Sequence, residues 1–144
     1  ARSEPAALVL GAPYFDETRP PFRDFGHRLT SFWTRIETAS SAIEDPQCGY
    51  RVYPLEAANA VRVKGDRMDY DVEVAVRMVW HGCPVINLRT KVRYLDASEG
   101  RVSHVHMFWD NVLISWMHTR LVTTAILRWI SWPIRRALSP SRTP

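Results

Sequence analysis

Asp45-Pro46-Gln47-Cys48-Gly49-Tyr50-Arg51 packs a turn, a thiol, an aromatic ring and a fixed cation into seven residues. Pro46 presets one backbone angle and Gly49 has access to conformations closed to other residues, so a defined loop is expected. Asp45 at the start of such a turn can cap neighbouring backbone N–H groups. Arg51 leaves the loop as a guanidinium, whose planar fork suits phosphate or carboxylate oxygens. On the residues alone, a purely structural turn is an equal reading.

Asp69-Tyr70-Asp71 is the second constellation. Two carboxylates one residue apart can chelate Mg²⁺ or Mn²⁺ against a diphosphate, because hard cations take carboxylate oxygens while keeping water and phosphate ligands. Here the pair falls in the opening turn of a predicted helix, where acids complement the helix dipole without any metal. The structural reading is preferred, and no metal ligand is assigned to this chain. His104 and His106 alternate without a third ligand. Cys48 and Cys83 lie outside any CxxC or zinc spacing, and both are expected to stay reduced. Neither a glycine-rich phosphate loop nor a G-x-S-x-G nucleophile signature occurs.

The elements that must position these residues follow from periodicity. Residues 6–10 read as a buried strand and 11–21 as a Pro/Gly-rich loop. Phe25, Leu29, Phe32, Trp33 and Ile36 recur at helical spacing, predicting a helix over 22–42 with Arg23, Arg28 and Arg35 on its remainder. After the loop comes a short extended piece, then a short helix opened by Pro54. A turn follows at Lys64-Gly65-Asp66. Residues 68–80 form a predicted helix ended by Gly82 and Pro84. Alternation over 85–94 predicts a half-exposed strand, with Ile86, Leu88 and Val92 on one face and Asn87, Arg89 and Arg93 on the other. A long amphipathic helix is expected over about 106–132, stopped by Pro133.

A chain of 144 residues that is 46% apolar suits one domain with a real core. The net charge of +4 conceals a split. Residues 1–110 carry 14 Lys/Arg against 15 Asp/Glu, whereas residues 111–144 carry five Arg and no acid. That asymmetry points to an anionic partner for the C-terminal helix. Trp and Arg together on such a helix suit the headgroup region of a membrane, on which it would lie rather than span. Nucleic acid is not expected, because cations and exposed aromatics do not interleave on one sheet face. Ala1 in place of Met, with no signal-peptide pattern behind it, reads as a truncation.

The loop Asp-x-x-Cys-Gly-Tyr-Arg resembles a motif in the C-terminal half of family 2 glycosyltransferases of the dolichyl-phosphate-mannose-synthase type. Other segments are similar in the same order: Leu8-Val9-Leu10-Gly11, the helix with Gly26-His27-Arg28-Leu29-Thr30-Ser31-Phe32-Trp33, residues 67–82, residues 85–94, and Gly100-Arg101-Val102-Ser103-His104. Together they span about residues 6–120. Two departures stand out: Gly11-Ala12-Pro13 where the family often has Gly-Ser-Arg, and His104 where it has Lys. The resemblance implies an α/β fold, the C-terminal portion of a GT-A domain, helix-rich with few strands. It divides the chain into an acceptor-side part (1–104), an amphipathic helix (105–138) and a disordered tail (139–144). It further implies that Arg28, Asp45, Gly49 and Arg51 line the acceptor side, and that Arg93, Arg101, Ser103 and His104 contact the donor diphosphate. The catalytic group is left unassigned. A divalent metal (Mg²⁺ or Mn²⁺) would be held by aspartates upstream of this chain. The partners implied are a nucleotide sugar and a lipid-linked acceptor, at the inner face of the cytoplasmic membrane. The alternative from a different class is a non-catalytic basic module that binds membranes or another protein.

Overall fold

The computed structural model describes residues 6–15, 21–92 and 107–138. Their order is β1 (Leu8–Phe15), α1 (Pro21–Thr38), β2 (Arg51–Val52), α2 (Leu55–Ala60), α3 (Met68–Trp80), β3 (Val85–Val92) and α4 (Met107–Leu138). The chain is α/β and helix-rich, with a three-stranded mixed sheet in the order β2-β1-β3. β1 and β3 run parallel from Leu8↔Val85 to Phe15↔Val92, while β2 adds a two-residue antiparallel edge. A parallel pair needs a long crossover between its strands, and here α1, the loop, α2 and α3 supply it.

α3 lies between two packing partners. Val74, Ala75 and Met78 join Leu8, Leu10, Ile43 and Cys83 on the sheet side, and Val72 and Val76 join Met117 and Leu121 of α4. α3 is buried from Val72 to Val76 without interruption, with Glu73 the one charged residue of that run. It ends as predicted. Gly82 takes φ 85°, and the Cys83 and Gly82 N–H groups bond back to the Met78 and Val79 carbonyls in a Schellman arrangement.

α1 inverts the usual rule. Its buried stripe is Thr30, Thr34 and Glu37, whereas of the five apolar residues that recur at helical spacing Phe25, Leu29 and Phe32 are exposed, Phe25 to 69%, and Trp33 and Ile36 are half-buried. α4 has an apolar stripe on each side. Met117, Leu121 and Ala125 face the core. At 100° per residue, Trp109, Val112, Trp116, Leu127 and Ile130 gather on the far side, and all five are exposed. Through its inner stripe α4 packs on Val72 and Val76 of α3.

Several boundaries and faces differ from expectation. β1 continues through Gly11 and Pro13 to Phe15, where a loop was predicted, because the whole segment is laddered to β3. α1 stops at Thr38, not near 42, because Ala39 adopts φ 50° and its N–H and that of Ser40 close the last turn on Ile36 and Arg35. On β3 the expected alternation holds from Arg89 to Val92, with Arg89 and Lys91 exposed and Thr90 and Val92 half-buried, but it fails at Asn87 and Leu88. Val85 packs into the core and the Asn87 side chain clamps Ala42 and Glu44, while Leu88 is exposed. α4 passes Pro133 and reaches Leu138; the proline deprives only the carbonyl of half-exposed Trp129, which can turn to water. The 139–144 tail lies outside the described residues.

The conformational freedom credited to Gly49 is not used, since Gly82 is the one described glycine with positive φ. The glycine that matters to the loop is Gly11. A Cβ there would sit 2.7 Å from the Cys48 sulfur and 3.3 Å from the Tyr50 carbonyl oxygen, whereas one on Gly49 would meet nothing within 4 Å. Gly11→Ala is therefore expected to destabilise by about 1–3 kcal/mol through overpacking and Gly49→Ala by less than about 0.5 kcal/mol. Urea unfolding compares them, with partial rescue of Gly11→Ala by Cys48→Ala.

Candidate functional site

The Asp45–Arg51 loop is held from within. One carboxylate oxygen of Asp45 accepts the Gln47 and Cys48 N–H groups at 2.8 and 3.1 Å, an Asx turn. The other meets His27 Nε2 at 2.8 Å, and Gln47 Nε2 donates to the Thr30 hydroxyl on α1. Burial pushes the Asp45 carboxyl up, but the His27 contact and the two backbone N–H groups outweigh it and hold the group below its ordinary 3.8. His27, which the sequence reading passed over, is thus the loop's anchor on α1.

Arg51 turns inward. Its Nε donates to the Cys48 carbonyl at 2.6 Å, one terminal nitrogen donates to the Pro46 carbonyl at 2.7 Å, and the other donates to the Asp71 carbonyl. The side chain is 2% exposed. The expected anion ligand is instead a brace that ties the loop to the first turn of α3, because three backbone carbonyls take its donors. Asp69 and Asp71 sit in that first turn. Asp69 is buried and accepts the Arg67 N–H at 3.3 Å, and Asp71 lies 3.8 Å from Arg51. No metal-holding group of His, Cys, Asp or Glu occurs among the described residues.

The remaining expected site residues scatter. Arg28 is exposed on α1, and Gly49 is exposed at the loop's tip. Arg93, Arg101, Ser103 and His104 lie outside the described residues. Beside the loop, Val9, Tyr50, Val52, Ile86 and Leu88 line a shallow apolar depression of about 130 Å³ on the sheet.

Two buried carboxylates organise the interior. Glu73 accepts from Arg77 at 2.7 Å, from Arg120 of α4 at 3.1 Å, and from the Lys64 and Gly65 N–H groups at 3.2 and 3.0 Å. Burial pushes its carboxyl up, yet Arg77, the Gly65 N–H and Arg120 prevail and hold it below the ordinary 4.5. Glu37 faces His118 Nδ1 at 2.6 Å between α1 and α4, and burial drives this carboxyl above 4.5 despite the imidazole. The i,i+4 spacing of Glu73 and Arg77 is readable in sequence. Glu37–His118, separated by 81 positions, is not. Glu37–His118 ties α1 to α4, and Glu73 ties α3 to α4 through Arg120.

Searches of protein families, curated proteins and solved structures found no match to this chain.

Arg51→Ala should lower unfolding free energy by roughly 3–5 kcal/mol, since it strips a charged donor from three carbonyls. Arg51→Lys should recover little, because one ammonium cannot span them. Chemical denaturation decides this, and a variant that loses anion binding at unchanged stability would contradict the bracing role.

Because Glu73 is held low, the unfolded chain takes up its proton first as pH falls. The stability it contributes is full above about pH 4.5 and is lost as pH drops through the folded value. Glu73→Gln should cost about 3 kcal/mol at neutral pH and flatten that acid limb, as read from unfolding at several pH values.

Proposed function

We propose that this chain docks on a membrane surface through α1 and α4, and that its sheet end forms the acceptor-side wall of a glycosyltransferase. The observation that carries the docking is the inversion of α1 together with the second stripe of α4. Phe25, Leu29 and Phe32 on one helix, and Trp109, Val112, Trp116, Leu127 and Ile130 on the other, stand in solvent. The neighbouring interior holds Thr30, Thr34, Glu37 and His118. Exposed apolar stripes on two neighbouring helices suit a protein whose outer solvent is partly lipid. No helix among the described residues is long and apolar enough to cross a bilayer, so contact is from one side.

The enzymatic half of the reading rests on the ordered sequence resemblance. Two structural features are compatible with it. The sheet has a minimal β2 edge, and its apolar depression at Val52, Ile86 and Leu88 is open to a further layer or strands. In this reading Arg28 on α1 meets the acceptor phosphate near the membrane plane, while Asp45 and Arg51 position the loop wall. The metal and its aspartates, the nucleotide sugar and the donor contacts at Arg93, Arg101, Ser103 and His104 belong to the complete enzyme. The competing reading, a non-catalytic membrane-binding module, is favoured by the same helix stripes and needs no catalytic partner.

Vesicle flotation with the double variant Trp116→Glu/Ile130→Glu tests docking. Both positions are exposed, so folding is preserved while binding to phosphatidylcholine vesicles falls at least about ten-fold. Undiminished binding would sink the docking. Sugar transfer to a lipid phosphate by the intact gene product, with Arg28→Ala expected to be roughly ten-fold slower, separates enzyme from module. Docking without any transfer leaves the module.

A further inference from the structure

At the C-terminal end of α3, some 14 Å along the helix axis from the Arg51 contact at 1.5 Å per residue, a depression of about 200 Å³ opens between α2, α3 and α4. Its walls are Arg62, Arg77, Trp80, His81 and Arg128, with Ala60 and Val61 at the α2 side, and no carboxylate among them. Arg128 is pre-positioned: its guanidinium carbon lies 5.2 Å from the Trp80 ring centroid, and one nitrogen donates to the Trp80 carbonyl at 3.1 Å. Arg77 lies 6.0 Å from the same ring and is steadied by Glu73. Arg62 is exposed on the segment after α2.

A bland account exists for part of this. Cations collect at helix C-termini, and Arg128 caps one of the last carbonyls of α3. The helix end, however, carries only about half a negative charge, and Glu73 must serve both Arg77 and Arg120. With Arg62, Arg77, Arg120 and Arg128 set against those two negative centres, about two and a half positive charges remain unmatched. Neither the dipole nor any carboxylate of the pocket explains Arg62 and Arg128 converging on one concave wall. Two guanidiniums with an imidazole beside them offer the planar, multi-donor geometry that a tetrahedral oxyanion accepts.

We propose that this pocket binds a phosphate group, held by Arg62 and Arg128 with His81 beside them and with Arg77 adding charge from behind. The phosphate comes either from a soluble phosphate compound or from the headgroup of an anionic lipid. The site is separate from the Asp45–Arg51 loop and stands whether or not the chain belongs to a transferase.

The test has two arms on the same protein. In the first, inorganic phosphate is titrated while indole and backbone amide resonances are followed. Saturable shifts at Trp80, His81 and Arg62 are expected, weakened about ten-fold in Arg62→Ala and in Arg128→Ala. In the second, flotation compares phosphatidylcholine vesicles with and without phosphatidic acid. Extra binding to phosphatidic acid that is lost in Arg62→Ala, with no saturable binding of free phosphate, assigns the headgroup as the source. Saturable free phosphate without that vesicle dependence assigns a soluble ligand. Arg62 makes no contact that the fold uses, so its variant remains folded, as thermal unfolding verifies. Phosphate shifts elsewhere, or both arms unaffected by Arg62→Ala and Arg128→Ala, would overturn the site, and neither result bears on the apolar docking stripes.

Discussion

Glu73 is the constraint on which the architecture rests. A carboxylate taken wholly out of water is tolerable only when its charge and lone pairs are matched, and here the matching comes from three separate pieces of chain. Arg77 is its helical neighbour, Arg120 reaches in from α4, and the Lys64 and Gly65 amides come from the segment after α2. Satisfying one charge therefore fixes the place of α4, the approach of the α2 segment and the depth of α3. Arg51 repeats the theme with opposite sign, a buried cation held by three carbonyls from the loop and from α3.

This polar bracing accounts for how modest a sheet can serve as a platform. β2 contributes two residues and β1 and β3 eight each, too little to bury a large core unaided. The apolar contacts of Leu8, Leu10 and Met78 provide non-directional stability, and the ion pairs provide direction. The surface then carries different chemistries: exposed apolar stripes on α1 and on α4, and a cationic hollow at Arg62 and Arg128.

Much of the scaffold was legible in the sequence, and the reason is local. α3 was placed at 68–80 because its caps and acids are encoded within the segment itself, and α2 followed from Pro54. What failed was inference about facing. Helical spacing gave α1 but not its facing: Phe25, Leu29 and Phe32 look outward, and its buried side meets His118, a partner no local window contains. The same limit applies to Arg51. Sequence shows a cation beside a turn, but whether its donors look outward or meet carbonyls depends on Asp71, twenty positions away. Of the candidate site, the loop's internal geometry was readable through Asp45, while the clustering of Arg62 with Arg128 required the fold.

His118 and Arg120 stand two residues apart on α4, so their side chains leave the helix about 160° apart. One is seated on Glu37 of α1 and the other on Glu73 of α3. The helix is thus keyed on two sides, like a shaft with opposed pins. Rotation that improves one seat withdraws the other, and a slide of one turn empties both. Buried apolar stripes alone would permit several near-equal registers; these two seats leave one, so whatever α4 meets on its outer side meets it in a single orientation.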